Sequence, residues 1–309
     1  MSIPTFTELC ISGCALVIIS LSSPIMAASP ACEHASDLND QAYKLHEQGA
    51  SKAKLKRLLN QALQSCPSHP QAHNNLADIL TEEGKYSQAI NHYRQALRVQ
   101  RDFAEAWYGL GEVYYKMGQF PRSLEAHLHA CKTDEDSQAR LKKLLKDNHY
   151  AVNDANKILD KESLLLLFDE RRRQEIERKL KACGLKAKLQ HVIAFRNLRF
   201  HPSSAKLEPL SLRQLKKLAG VLKLVEPDTI EVSGHTDNQR WRGLSKRKSD
   251  RRNLDLSKQR AQAVKKELVK QGVSKRRIQA HGYGSTRPLL EEKSQSALAK
   301  NRRVEVEAK

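Results

Sequence analysis

From about Ser36 to Asp134 the same kinds of residue return every 34 positions, which commits this stretch to stacked copies of one small unit. Leu76, Ala77, Leu80, Gly84, Ala89, Tyr93 and Ala96 occupy one copy. Leu110, Gly111, Tyr114, Gly118, Ser123, His127 and Ala130 hold the matching places in the next, with Trp107 near its start. An earlier copy, with Gly49, Ala62 and Pro67, is more worn and reads as one residue longer in its turn. The spacing has a physical reason. Small residues let two antiparallel helices approach, and large ones fill the gap to the next pair.

The second and third copies closely resemble the tetratricopeptide (TPR) family. The resemblance implies an all-α helical-repeat domain with a groove that engages a protein partner. A spacer without a specific partner is the plainer alternative for so short an array. Leu141, Leu144 and Leu145 follow as a capping helix, which places the domain at residues 36–148. His73, His92, His127 and His129 lie along the repeat helices without accompanying acids, so they read as surface or packing residues and not as metal ligands. Residues 149–190 are helical and charged, and form a connecting segment. Leu164 to Phe168, followed by Glu170-Arg171-Arg172-Arg173, reads as one helix continuing towards Leu180, with Gly184 at its end and the Arg run as a solvated face.

Beyond this segment the order is strand, helix, strand, helix, strand, a short loop or helix, and a final strand. Leu215, Leu218, Leu222 and Val225 form a helical stripe, while Val304 and Val306 alternate as on a strand. Thr229 to Ser233 also alternates, which puts Gly234-His235-Thr236-Asp237 just past a strand end. Ser257 stands where a helix N-cap belongs, Ala261, Val264 and Leu268 recur at helical spacing, and Gly272 supplies the stop. On this reading Arg260 lies in the first helical turn, beside unpaired backbone N–H groups. An acid at a strand end and a base at a helix start suit a zwitterion.

Phe195 to Ser203, the Gly-His-Thr-Asp loop, Asn253 to Ala261, Gly282-Tyr283-Gly284 with Pro288, and Asn301-Arg302-Arg303-Val304 stand in one register over about 115 residues. Together they resemble the C-terminal domain of the OmpA family, shared with MotB and the peptidoglycan-associated lipoprotein. The resemblance implies an α+β domain at residues 191–309, with helices on one face of a mixed sheet. It also implies peptidoglycan binding through diaminopimelate, with Asp237 and Arg260 in the leading roles and Thr236, Asn253 and Arg302 beside them. The chemistry agrees. A carboxylate pairs the ammonium of the diaminopimelate end, and a guanidinium holds its carboxylate by two parallel bonds. Arg303 reads as structural.

One departure stands out. The segment between Asp237 and Asn253 is about eight residues longer than the family's usual pattern, and it carries Arg240, Arg242, Lys246, Arg247, Lys248, Arg251 and Arg252 against Asp250, with Trp241 among them. As a loop it would attract anionic lipid headgroups or lipopolysaccharide phosphates, or serve only as a solvated insertion. The whole chain has a net charge of +19, which makes a basic polyanion-binding adaptor, for nucleic acid or lipopolysaccharide, the alternative function. Missing base-stacking aromatics and an export signal argue against nucleic acid. That signal is the apolar run from Leu9 to Met26 ending in Ala27-Ala28, read as cleaved so that residues 1–27 are lost, although no Lys or Arg precedes it. Ile11-Ser12-Gly13-Cys14 imitates a lipoprotein processing box but lies ahead of most of the run. The remaining Cys32, Cys66, Cys131 and Cys183 allow three pairings, among which the sequence does not choose. No nucleophile elbow, metal motif, phosphate loop or paired carboxylates point to an enzyme or a cofactor. The expectation is a non-enzymatic envelope protein in the periplasm of a Gram-negative bacterium.

Overall fold

A computed structural model describes residues 29–153, 158–190, 192–195, 198, 200, 204–292 and 294–309. The export segment, the processing box around Cys14 and part of the Phe195 to Ser203 stretch lie outside the described residues. The repeats fold as three helix pairs: α1 (Pro30–Glu47) with α2 (Lys52–Ser65), α3 (Pro70–Glu82) with α4 (Tyr86–Val99), and α5 (Ala104–Lys116) with α6 (Phe120–Ala130). Ser29 and Ser51 cap α1 and α2 through their side chains, so the first helix begins somewhat before Ser36. Gly84 and Gly118 take φ of +71° and +70° in the turns of the second and third pairs, a conformation that costs glycine nothing. A Cβ on Gly111 would come within 2.5 Å of the His127 ring, so this helix approach requires glycine. A disulfide between Cys32 and Cys66 ties the start of α1 to the end of α2.

Helix α7 (Glu135–Leu145) covers the end of the array, with Leu141 and Leu144 fully buried. The connecting segment departs from its helical reading in two ways. Val152–Asn153 forms a short strand, β1, that pairs in parallel with β2 (Val192–Phe195). The helix expected from Leu164 to Leu180 is two helices, α8 (Lys161–Phe168) and α9 (Glu170–Ala182). Asp169 is the break: it is extended and its carboxylate accepts from Arg172 N, closing one helix and capping the next. The Arg run is also not uniformly solvated, since Arg173 is buried and donates to the Leu167 carbonyl at 2.9 Å. Cys131 and Cys183 form the second disulfide, between the end of α6 and the end of α9.

The C-terminal domain adds α10 (Pro209–Val225), β3 (Ile230–Gly234), α11 (Lys246–Lys270), β4 (Ile278–Gly282), α12 (Gln295–Asn301) and β5 (Val304–Ala308). Its sheet has the order β1-β2-β5-β3-β4. The last strand lies antiparallel between β2 and β3, and β3 pairs β4 in parallel, so the sheet is mixed and the fold α+β. Helix α11 packs along β3 and β4, and α8 along β2 and α10. One apolar core runs without a break from Leu124 of α6 through Leu144, Leu167 and Leu180 to Ile193, Leu218, Val232 and Val306. A second core fills α1 to α5.

Candidate functional site

The site is built where α11 lies across the ends of β3 and β4. A Cβ on Gly234 would meet the Ser257 carbonyl oxygen at 2.2 Å, and one on Gly282 would meet Lys258 N at 2.3 Å. Glycine at both strand ends therefore lets the helix backbone rest on them. Ser257 is not a cap. Its hydroxyl donates to the Leu254 carbonyl and accepts from Gly284 N, stitching the helix to the loop after β4. The loop after β3 is pinned in turn, with His235 N donating to the Arg303 carbonyl at 2.9 Å and Thr236 N to the Gly284 carbonyl at 2.8 Å.

This corrects the reading of α11. The helix starts at Lys246, capped by the Ser245 side chain, so the segment read as a basic loop supplies its first turns. Arg260 consequently lies well inside the helix, and neither free N–H groups nor the helix dipole assist it. What it does have is placement. Thr236, Asp237, Asn253, Arg260 and Arg302 all line one cavity of about 320 Å³, together with Gln239, Arg240, Trp241, Arg242 and Leu256.

Each wall is held in place. One Asp237 carboxylate oxygen accepts from Gln239 N at 3.0 Å and the other from Arg302 Nη1. A carboxylate has about four acceptor positions, so two remain for a ligand. Asn253 donates to the Asp237 carbonyl at 3.3 Å and accepts from Trp241 Nε1 at 2.7 Å, fixing the indole against the pocket. The Arg260 guanidinium lies 5.0 Å over the Phe200 ring, and its Nε is buried without an acceptor among the described residues. Burial, and then the charge of Arg302, lowers its pKa from the ordinary value, while Asp237 opposes the shift. An anion placed against Arg260 relieves both costs. The Thr236 hydroxyl is likewise buried without a partner among the described residues.

Beneath the loop sits a charged cluster that the sequence did not single out. Glu305 accepts from Arg303 Nε at 2.6 Å and lies 3.5 Å from His235 Nε2. Burial alone would raise its pKa, but His235 and Arg303 overcome that and hold it at about 2. Arg303 also donates to the Asn301 and Arg287 carbonyls, as a structural residue does. Of the basic segment, Arg240 and Arg242 reach the cavity, and Arg252 stacks 4.0 Å over Trp241. Arg240, Lys246 and Arg251 line a neighbouring cleft of about 860 Å³, while Arg247 and Lys248 line neither. Trp241 and Phe200 are the site residues whose roles the sequence reading missed; an aromatic among cations, as at Trp241, was the available signal.

The OmpA family profile matches residues 199–302, and tetratricopeptide repeat profiles match 58–91 and 77–118. The C-terminal domain is an OmpA family domain. Its relatives include the probable lipoprotein YiaD of Escherichia coli K12, 36% identical over 110 residues that make up 36% of this chain and 47% of the lipoprotein. The peptidoglycan-binding protein ArfA of Mycobacterium tuberculosis H37Rv is 34% identical over 107 residues, 35% of this chain and 30% of that protein. The match thus spans less than half of either relative. Among solved structures, the cell wall anchor of the type VI secretion system from Pseudomonas aeruginosa is 30% identical over 38% of this chain and 81% of its own, with a TM-score of 0.33. Among the described residues no helix is long and apolar enough to cross a membrane, and no cluster of three or more His, Cys, Asp or Glu side chains is arranged to hold a metal.

Proposed function

We propose that this chain is a non-enzymatic protein of the Gram-negative cell envelope that grips peptidoglycan through the free end of diaminopimelate. One observation carries the reading: Asp237 and Arg260, of opposite charge, line a single small cavity. The ammonium goes to the free positions on Asp237. The carboxylate goes to Arg260, whose buried Nε wants an acceptor. Thr236 and Asn253 shape the loop between them, and Arg302 yields part of its hold on Asp237 as the ammonium arrives. Charge-assisted bonds of roughly 1.5–3 kcal/mol each, less the cost of association, give weak binding per site. A polymeric wall compensates by offering many copies. The likeness to a relative named for peptidoglycan binding supports the same reading.

The helical repeats, on this proposal, engage another envelope protein. A cavity between α1, α2 and α3, lined by Ala42, Tyr43, Leu55, Leu59 and Ile79 together with His46, Asn75, Asp78 and Glu82, offers a partly apolar place for such a partner. The alternative of a general polyanion adaptor rests on charge alone; salt-sensitive binding to DNA or lipopolysaccharide without any cell-wall binding would favour it.

The test is sedimentation of the full chain with purified diaminopimelate-type sacculi. Asp237→Ala and Arg260→Ala should each remove most of the pelleted protein while circular dichroism stays unchanged. Undiminished pelleting of both variants would retire the site.

A further inference from the structure

The cleft beside the diaminopimelate cavity has no role in the reading above. It is lined by Arg240, Lys246 and Arg251, with Asp250 as the one acid, and its far wall is Tyr283 to Thr286. The three cations come from two elements, the loop after β3 and the first turns of α11, and all three are exposed. No ion pair engages them among the described residues. One of the three, Lys246, also works against the helix. The first turn of α11 carries no acid, and cations there oppose the positive end of the dipole. A feature that costs the fold stability and leaves three like charges facing one cleft calls for an anion.

Which anion follows from where the cleft opens. Gln239 and Arg240 line both cavities, so the two lie against one short loop. A ligand whose diaminopimelate end fills the first cavity meets this loop where its stem leaves on the cleft side. In the stem peptide the residue joined to diaminopimelate is a γ-linked glutamate, whose α-carboxyl is left free or is capped as an amide. One or two extended residues span up to about 7 Å, which keeps that carboxyl beside Arg240. An anionic lipid surface fits less well, because the seven cations of this segment are divided among several directions and do not form one flat face. Arg240 and Arg242 turn to the cavity, Arg252 stacks on Trp241, and Arg247 and Lys248 line neither space.

We propose that Arg240, Lys246 and Arg251 form a second subsite that reads the free α-carboxylate of the glutamate next to diaminopimelate, so that the domain distinguishes acid stems from amidated ones. This rests on the diaminopimelate reading of the first cavity. Exposed charges act weakly one by one, and three acting together on one carboxylate are expected to give a preference of about tenfold, on the order of 1.4 kcal/mol. The preference shrinks as salt screens the pairs.

The experiment is calorimetric titration of the full chain with two synthetic tripeptides, L-Ala-γ-D-Glu-meso-diaminopimelate with a free α-carboxyl and the same peptide carrying the α-amide. The wild type should bind the acid about tenfold more tightly. The double variant Lys246→Gln, Arg251→Gln, whose side chains line only the cleft, should bind both peptides at nearly the level of the amide. Asp237→Ala should bind neither. Equal wild-type affinities for the two peptides would overturn the second subsite and leave the first standing. Failure of the wild type to bind either peptide would remove both. A double variant that keeps the acid preference but loses binding to phosphatidylglycerol vesicles would assign these cations to a membrane and overturn the proposal as well.

Discussion

Helices α1 to α5 and the sheet domain bury apolar surface in different ways. The buried set of the repeats is rich in alanine, with Ala35, Ala62, Ala72, Ala77, Ala89, Ala96 and Ala106 wholly covered. Their backbones come close, and the side chains between them are small. Around the sheet the buried set is leucine, isoleucine and phenylalanine, with Leu144, Leu180, Ile193, Phe195 and Leu218 wholly covered. There the core is held by volume. Helix α6 belongs to both: Ala126 faces the repeats, while Phe120, Leu124 and Leu128 face the sheet side. The division between repeat and wall-binding domain therefore runs through α6 and not along a linker.

The largest effect should come from the disulfides, one in each core. They close separations of 34 and 52 residues, and loop-closure entropy gives about 4 kcal/mol for each. Removing Cys131 and Cys183 as a serine pair should lower stability by about that amount and loosen α9 from α6. Removing Cys32 and Cys66 should cost as much but leave sacculus binding intact. Denaturant unfolding with parallel pelleting assays measures both. Loss of binding in the Cys32 and Cys66 variant would show that the two cores do not act separately.

Substitutions of opposite kind should separate the cores next. Leu180→Ala leaves a hole in the leucine core and should cost about 3 kcal/mol, within the usual 2–5. Ala106→Leu, in the alanine core, should cost about 1–3 kcal/mol by overpacking. Midpoints of urea unfolding give both values. If Leu180→Ala were nearly neutral while Ala106→Leu unfolded the chain, the volume account of the sheet side would fail.

Acid should move the two regions in opposite directions. Glu305, beneath the loop that carries Asp237, has its pKa lowered from 4.5 to about 2, against burial, by His235 and Arg303. Its stabilisation is complete above pH 4.5 and is lost as pH falls from there towards 2. Asp78, in the repeats, is raised from 3.8 to about 6, chiefly by burial and less by Glu82, with Tyr93 opposing. Its cost to the fold is complete above pH 6 and is relieved as pH falls from 6 towards 3.8. Each shift corresponds to on the order of 3 kcal/mol. Hydrogen exchange at pH 7, 5 and 3.5 should show protection of α3 and α4 rising between the first two, then protection of β3 and β5 falling. Asp78→Asn should abolish the first change, and Glu305→Gln the second.

Much of this architecture is readable in the chain, and the exceptions share a cause. The repeats announce themselves through small residues at a fixed interval, and Asp237 through the alternating strand before it. The early start of α11 does not, because the buried positions of its first turns are Ser249, Asn253 and Ser257. Their spacing of four is helical, but a stripe of small polar residues carries no hydrophobic period. Ser257 thus passed for a cap, and the cations ahead of it for a loop. Strand β1 is two residues long and takes its identity from its pairing with β2, a tertiary fact. Arg173 is buried because Asp169 breaks the helix and leaves the Leu167 carbonyl for it to reach. Each miss falls where a polar side chain does what an apolar one usually does.

The smallest effect concerns how the two regions begin their helices. Helix α7, over the end of the repeats, carries Glu135 and Asp136 in its first turn, in keeping with the dipole. Helix α11 carries Lys246, Arg247 and Lys248 there and no acid. Arg247 lines neither the cavity nor the cleft, so its charge is open to change without touching either. Arg247→Glu should stabilise the C-terminal domain by about 0.5 kcal/mol through the dipole, with the gain fading in high salt and the tripeptide affinities unchanged. Thermal unfolding at low and high salt reads this directly. A loss of stability instead would mean that the cation at this position is held by the fold, and the contrast between the two helix starts would carry no functional meaning.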